Sequence, residues 1–178
     1  MEPVIHTKVG QRRIFQDEVL GLREDFLVGP SGVRLHRKVL EYQPASVVLP
    51  IDEEGRALLI RHYRHPVARS LWEVPGGMIG ADESAEAAAV RETYEETGYR
   101  VTSLERLLTF FPEPAFADHR IAVFLGTGLV REGGSGREDE ISQARLFTRM
   151  EVELLIDEGE IASSWTLVAV LRGLDRLR

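Results

Sequence analysis

The sequence predicts a mixed α/β fold. Three observations support this prediction: short strands separated by turns fill the first half, an alanine-rich helix that turns acidic follows them, and helical spacing returns at the C-terminus after further strands. A length of 178 residues suits one domain with a sizeable core. We therefore expect a single domain over residues 1–178, with N-terminal strands in residues 1–42 and the core in residues 43–178.

Composition and charge narrow the classes of function. The chain has 43% hydrophobic and 29% charged residues, and its net charge of -7 argues against general binding to nucleic acid or to an anionic membrane. It has no cysteine, which excludes disulfides, zinc–thiolate sites and thiol nucleophiles. No apolar signal core and no bilayer-length apolar stretch occurs, so we expect a cytoplasmic protein.

The first half of the chain predicts two hairpins. Residues 24–28 look extended, Gly29-Pro30-Ser31-Gly32 is a turn signal, and residues 33–42 alternate apolar and polar side chains, so the flanking strands should pair. The apolar run 45–50 predicts a buried strand, and we expect residues 56–63 to return from it as the second strand of a hairpin. The remaining predicted strands are 12–15, 71–74, 101–111, 121–129 and 144–147, and the C-terminal helices are 150–158 and 161–177.

Residues 84–97 predict the helix around which the chain is organised. Asp82 or Ser84 can cap its N-terminus, and Gly98 suits a left-handed position at its end. Glu92 and Glu96 lie four apart on one face of this helix, and Glu95 can share the edge of that face. Like charges at this spacing destabilise a helix, and a divalent cation such as Mg²⁺ or Mn²⁺ would offset the repulsion. The alternative interpretation is a solvated acidic face.

The stretch from Gly76 to Tyr99 resembles the Nudix box, G-x5-E-x7-R-E-U-x-E-E-x-G-U, in which U is a bulky aliphatic residue. The fixed positions are filled by Gly77, Glu83, Arg91, Glu92, Glu95, Glu96 and Gly98. Thr93 and Tyr99 depart from the pattern at the two U positions. The resemblance implies the family's α/β/α sandwich around a mixed β-sheet, here with an N-terminal β-hairpin region.

The same resemblance implies Mg²⁺-dependent hydrolysis of a nucleoside diphosphate linked to another group, with Mn²⁺ as an alternative ion. In the family, glutamates matching Glu92 and Glu96 bind the metal, often with the one matching Glu95 and with a backbone carbonyl at Gly76. The resemblance gives a structural role to the other four fixed residues, Gly77, Glu83, Arg91 and Gly98.

Segments outside the box resemble ADP-ribose pyrophosphatases. They are SVVLPIDEEGRALLIRHYRHPV, LWEVPGG and LLIDEGEIASSWTLVAVL, together with Pro114. The segment VPGG differs from the PAG often found at that point in the subfamily. The resemblance implies cleavage of ADP-ribose to AMP and ribose 5-phosphate by a homodimer. Alternatives are another nucleotide sugar, a dinucleoside polyphosphate, or a non-catalytic nucleotide sensor with the same fold.

The subfamily resemblance also implies substrate residues. Arg64 matches an arginine that contacts the diphosphate, although it could instead be a surface charge, and Phe15 and Phe26 could stack on adenine or pack in the core. A glutamate before the last strand acts as catalytic base or completes the metal site in the subfamily. The candidates are Glu138, which we prefer, Glu140 and Asp139, and Glu95 is the first candidate on the box helix.

Overall fold

The computed structural model describes residues 5–133 and 141–178 of the chain. Over these ranges it contains ten β-strands and three α-helices. The strands are β1 (Thr7–Gln16), β2 (Leu20–Val28), β3 (Arg34–Tyr42), β4 (Ala45–Pro50), β5 (Ala57–Arg64), β6 (Arg69–Glu73), β7 (Gly76–Met78), β8 (Tyr99–Phe110), β9 (Ile121–Arg131) and β10 (Ile141–Phe147), and the helices are α1 (Ala85–Thr97), α2 (Arg149–Asp157) and α3 (Ser164–Gly173). No helix in the described part is long and apolar enough to cross a bilayer.

The chain forms two compact units. The N-terminal unit comprises Met1–Pro44 and Phe111–Arg120, and the core unit comprises Ala45–Phe110 and Ile121–Arg178. In the N-terminal unit, β1, β2 and β3 form an antiparallel sheet in which Val28 pairs with Arg34, so the predicted hairpin around residues 29–32 is confirmed.

The core unit contains a mixed sheet between helices. Its strand order is β7-β4-β9-β8, and β4 runs parallel to β9 and antiparallel to β7. Neighbouring side chains of β4 point to opposite faces. Val48 packs with Ala89 of α1, whereas Leu49 packs with Val170 of α3 in the larger cluster. The predicted α/β/α sandwich with a mixed sheet is therefore confirmed.

The second predicted hairpin is wrong. β4 has β7 and β9 as neighbours, whereas β5 pairs with β6 and β10 in a separate antiparallel sheet. At the turn, an isolated bridge between Ile51 and Ala57 stands in place of a continuous ladder between the two strands. An apolar run like 45–50 belongs to a strand covered on both faces, whose hydrogen-bonding partners come from distant parts of the chain. Sequence adjacency is therefore a poor guide to its pairing.

The predicted helix bounds are confirmed for α1 and partly for the C-terminus. Ser84 caps α1 by accepting a hydrogen bond from the Ala87 N–H at 3.1 Å, and Gly98 adopts a left-handed conformation with φ of 71°. The helix predicted to begin at Ile161 begins instead at Ser164, because the preceding residue Ser163 has an extended backbone.

Candidate active site

Small side chains bring α1 close to the mixed sheet. Ala88 and Ala89 are fully buried, and the hydroxyl of Ser46 on β4 donates to the Ala85 carbonyl at 2.8 Å. Thr93, which departs from the box pattern, is also fully buried, and its hydroxyl donates to the Ala89 carbonyl at 2.7 Å. A threonine is therefore accommodated at this position without an unpaired hydroxyl. This packing fixes α1 and, with it, the glutamates in its second half.

Arg91 holds the box together through all five of its N–H donors. Its Nε and Nη2 donate to the two carboxylate oxygens of Glu83 at 2.8 and 2.9 Å. Its Nη1 donates to Glu92 at 2.7 Å and to Glu95 at 3.1 Å. The remaining Nη2 proton reaches the Met78 carbonyl at 3.2 Å. The loop that precedes α1 is thus fastened to the helix, and two of the predicted metal ligands are oriented by the same guanidinium.

The electrostatics of the box follow from these bonds. Hydrogen bonds from Arg91, and then from the Gly80 N–H at 3.0 Å, lower the pKa of Glu83 from 4.5 to about 2. In turn, the hydrogen bonds to Glu83, followed by those to Glu92, raise the pKa of Arg91 above its ordinary value. Both groups are therefore charged across the physiological pH range.

The glycine pair leaves room for the glutamates. A Cβ on Gly77 would stand 2.4 Å from a carboxylate oxygen of Glu92, and a Cβ on Gly76 would stand 2.4 Å from the Ser46 carbonyl oxygen. The Gly76 N–H donates to a carboxylate oxygen of Glu96 at 2.9 Å. The glycines therefore do more than form a turn, because a larger residue would displace either a glutamate or strand β4.

The donor chemistry of the box fits a hard divalent cation. Glu92 and Glu96 are 4% and 6% exposed, and three carboxylates, those of Glu83, Glu92 and Glu95, share the single positive charge of Arg91. Carboxylate oxygens are the ligands that Mg²⁺ and Mn²⁺ accept, and those of Glu92 and Glu96 belong to buried side chains. The glutamates are spread around Arg91, however, and no three acidic or histidine side chains within residues 5–133 and 141–178 converge on one point.

Arg64 lies at the end of β5 and is not a solvated surface charge. Its Nε and Nη2 donate to one carboxylate oxygen of Glu73 at 3.1 and 2.5 Å, and its guanidinium carbon lies 5.4 Å from the centre of the Trp165 ring. Glu73 is 1% exposed, and its other carboxylate oxygen has no hydrogen-bond partner among the described residues. Glu73 and Trp165 are not among the residues predicted from the sequence, although a glutamate within the apolar run LWEVP was a usable signal.

The remaining predicted residues fall in other places. Phe15 and Phe26 belong to the N-terminal unit: Phe15 is 48% exposed, and Phe26 meets the ring of His36 edge-on at 5.0 Å. The exposure of Phe15 contradicts its alternative role in core packing. Glu138, Asp139 and Glu140 lie outside the described residues, between the end of β9 and the start of β10.

The chain is similar to known proteins over segments that include the box and helix α1. A family model described as "NUDIX domain" matches residues 41–166. The ADP-ribose pyrophosphatase of Bacillus subtilis (strain 168) is 28% identical over 172 residues, which cover 96% of this chain and 93% of that protein. The methanol dehydrogenase activator of Bacillus methanolicus is 32% identical over 160 residues, which cover 89% of this chain and 86% of that protein. The crystal structure of an ADP compounds hydrolase has the same fold, with a TM-score of 0.84 and 19% identity. The match covers 96% of this chain and 92% of that chain.

Proposed function

The chain belongs to the Nudix family and is a Nudix hydrolase, and from this premise we propose that it hydrolyses ADP-ribose to AMP and ribose 5-phosphate with Mg²⁺. The observation that carries the proposal is the arrangement of the box glutamates on α1: Glu92 and Glu96 are buried, and Arg91 binds Glu92 and Glu95. The choice of substrate rests on the near full-length similarity to an ADP-ribose pyrophosphatase.

The proposed metal ligands are Glu92, Glu95, Glu96 and the Gly76 carbonyl, with Mn²⁺ as an alternative ion. A divalent ion held by these residues would supply polarisation of a phosphoryl oxygen and a lower pKa for a bound water. Arg91 orients two of these glutamates, and Gly77 gives the Glu92 carboxylate its space. These contacts preorganise the ligand set, which reduces the reorganisation needed when the cation binds.

The proposed substrate-binding residues are Arg64, Phe15 and Phe26. Arg64 binds the diphosphate, since a guanidinium fork matches phosphate oxygens and its two Nη1 protons form no bond to any described residue. Phe15 and Phe26 are the candidates for stacking on adenine. The catalytic base is Glu138 or Glu140, with Glu95 as the candidate on the box helix.

We further propose a cytoplasmic homodimer. Within residues 5–133 and 141–178, β1 pairs with β2 along one edge and with no strand along the other, and its side chains are exposed along almost the whole strand. Ile5, Val9 and Ile14 expose 69%, 63% and 44% of their surface. An edge strand with exposed apolar side chains is suited to pairing with a second copy. Sedimentation analysis would test the assembly directly, and a monomer at micromolar concentration would contradict it.

Product analysis tests the proposed reaction. The chain is incubated with Mg²⁺ and a panel of ADP-ribose, ADP-glucose, diadenosine polyphosphates and NADH, and the products are separated by chromatography. We expect AMP and ribose 5-phosphate from ADP-ribose, the highest kcat/KM in the panel for that substrate, and no product in EDTA. A higher kcat/KM for another member would assign the enzyme to that substrate. Tight binding of ADP-ribose without any product would favour the nucleotide sensor.

The carboxylates between β9 and β10 give a second test of the proposal. We expect single Glu138→Gln and Glu140→Gln changes to be unequal, with Glu138 the position at which kcat falls strongly. A general base should also alter the acidic limb of the kcat–pH profile, whereas a metal ligand should raise the Mg²⁺ concentration at half activity. If both variants match the wild type, neither carboxylate takes part in the reaction and Glu95 becomes the candidate base.

A further inference from the structure

Arg64, Glu73 and Trp165 form a cluster drawn from three elements of the core unit. Arg64 ends β5, Glu73 ends β6, and Trp165 lies in the first turn of α3. Glu73 pairs across the sheet with Ile60, which is four residues before Arg64, so the side chains of Arg64 and Glu73 share one face of the strand pair. Trp165 reaches that face from a part of the chain about a hundred residues later.

The two contacts constrain the guanidinium in different directions. Glu73 binds the edge formed by Nε and Nη2, and Trp165 contacts the group at 5.4 Å from its ring centre. If the guanidinium made only one of these contacts, it could still rotate about that contact. Together they leave the Nη1 edge as the part of Arg64 without a protein partner among the described residues. A fork held in one orientation loses less entropy when it binds an anion.

The position of Trp165 is set independently of Arg64. The next residue, Thr166, is fully buried, and its hydroxyl oxygen accepts from the Val74 N–H at 3.2 Å and from the Ser163 hydroxyl at 2.8 Å. Val74 lies in the connection between β6 and β7, just before the glycine pair of the box. The first turn of α3 is therefore anchored to the segment that leads into the box, and Trp165 is a fixed support.

We propose that Trp165 is a positioning residue that, with Glu73, holds Arg64 in the orientation in which its free edge receives the substrate's diphosphate. The inference rests on the proposed function because it assumes that Arg64 binds the diphosphate. Trp165 itself contacts no substrate in this proposal and acts through the guanidinium.

The same strand offers a matched control. Arg61 also lies on β5, pairs with a glutamate, Glu160, and has its guanidinium carbon 5.6 Å from a tryptophan ring, that of Trp72. Arg61 and Arg64 are three residues apart, so their side chains leave the strand on opposite faces. An Arg61→Lys change alters a similar constellation that has no part in the proposal.

The experiment is a double-mutant cycle between Trp165 and Arg64. The affinity for inorganic pyrophosphate is measured by calorimetry in Mg²⁺, and ADP-ribose turnover and thermal unfolding are measured in parallel. Trp165→Leu should weaken pyrophosphate binding and raise KM about fivefold, the size of an ordinary cation–π contact, while kcat changes little. Trp165→Phe should restore most of the affinity, Arg61→Lys should match the wild type, and Trp165→Leu should add nothing in an Arg64→Lys background.

Two results would overturn the inference. One is an unchanged pyrophosphate affinity in folded Trp165→Leu protein, and the other is a loss of the same size in the Arg64→Lys background, which would show that Trp165 does not act through Arg64. The proposed function fails separately, if the wild type produces no AMP from ADP-ribose. In that case the pyrophosphate cycle still decides whether Trp165 positions Arg64.

Discussion

The box and the end of β5 each place an arginine among glutamates, but the two arginines are used differently. Arg91 directs all five N–H donors at the protein, to three glutamates and a backbone carbonyl. Arg64 directs two donors at a single oxygen of Glu73 and keeps the Nη1 edge clear of the described residues. An arginine whose donors are all paired within the protein maintains a structure, whereas one held at a single edge can bind a ligand. The box should therefore govern turnover, and the end of β5 should govern substrate affinity.

The largest effect is expected at Glu96. A Glu96→Gln change removes a negative charge from the proposed metal site, and kcat should fall by at least about a hundredfold, as for the loss of a major electrostatic group. Folding should be nearly unchanged, because glutamine can still accept the hydrogen bond from Gly76 and repulsion with Glu92 decreases. Steady-state kinetics with circular dichroism as the folding control measure both effects. Wild-type kcat in this variant would remove Glu96 from the ligand set.

Gly77→Ala tests whether the glycine exists to make room for Glu92. The added Cβ would meet the end of the Glu92 side chain at 2.4 Å, so the carboxylate must move while the backbone can stay. We expect the Mg²⁺ concentration at half activity to rise about tenfold, as when a group that orients a metal ligand is lost. Thermal unfolding should shift little. An unchanged Mg²⁺ requirement would mean that Glu92 does not bind the ion.

Exchanging each arginine for lysine should affect stability at Arg91 and substrate affinity at Arg64. A lysine at position 91 cannot bind all the partners of Arg91. Glu92, whose side chain is 5% exposed, would lose its charged hydrogen bond. Arg91→Lys should therefore lower the free energy of unfolding by about 1–3 kcal/mol. Arg64→Lys keeps a charge beside Glu73 and should leave stability largely intact while KM for ADP-ribose rises. Arg64→Ala is a poorer test, since it would leave the buried Glu73 without its cation. Equal stability losses in the two lysine variants would break the comparison.

The smallest expected effect is a pH dependence at Glu83. Its pKa falls from 4.5 to about 2 on folding, so its ionised form stabilises the native state. That contribution is complete above about pH 5, decreases as the pH falls through the unfolded value, and is absent below about pH 2. Urea unfolding of the wild type and Glu83→Gln across this range should show a difference that is constant at neutral pH and vanishes at the acid end. A difference that persists at pH 2 would assign the effect to packing instead.

Local features could be predicted from the sequence because local chemistry determines them. The α1 helix was bounded correctly by the capping residue Ser84 and the left-handed Gly98, and the N-terminal hairpin followed from its turn. The spacing of the box residues also predicts that Arg91, Glu92 and Glu95 lie close together, since they fall within one turn or so of a helix.

Long-range features could not be predicted in the same way. The pairing of β4 with β9 joins segments more than seventy residues apart, and the contact of Trp165 with Arg64 spans about a hundred. A strand's apolar pattern gives its burial but not its neighbours, which is why the hairpin of β4 with β5 was wrong. Glu73, the partner of Arg64, was also missed, although a single glutamate within the apolar run LWEVP was a usable signal.

One measurement separates the role of the box in turnover from the role of Arg64 in substrate affinity. Calorimetry with ADP-ribose and Mg²⁺ compares Glu96→Gln with the double variant Glu96→Gln/Arg64→Lys, neither of which should turn the substrate over during the titration. We predict that Glu96→Gln binds ADP-ribose with a Kd near the wild-type KM, and that adding Arg64→Lys weakens binding by about tenfold, as expected for a weakened charge-assisted hydrogen bond. Equal affinity in the two variants, or no binding to Glu96→Gln at all, would contradict the account.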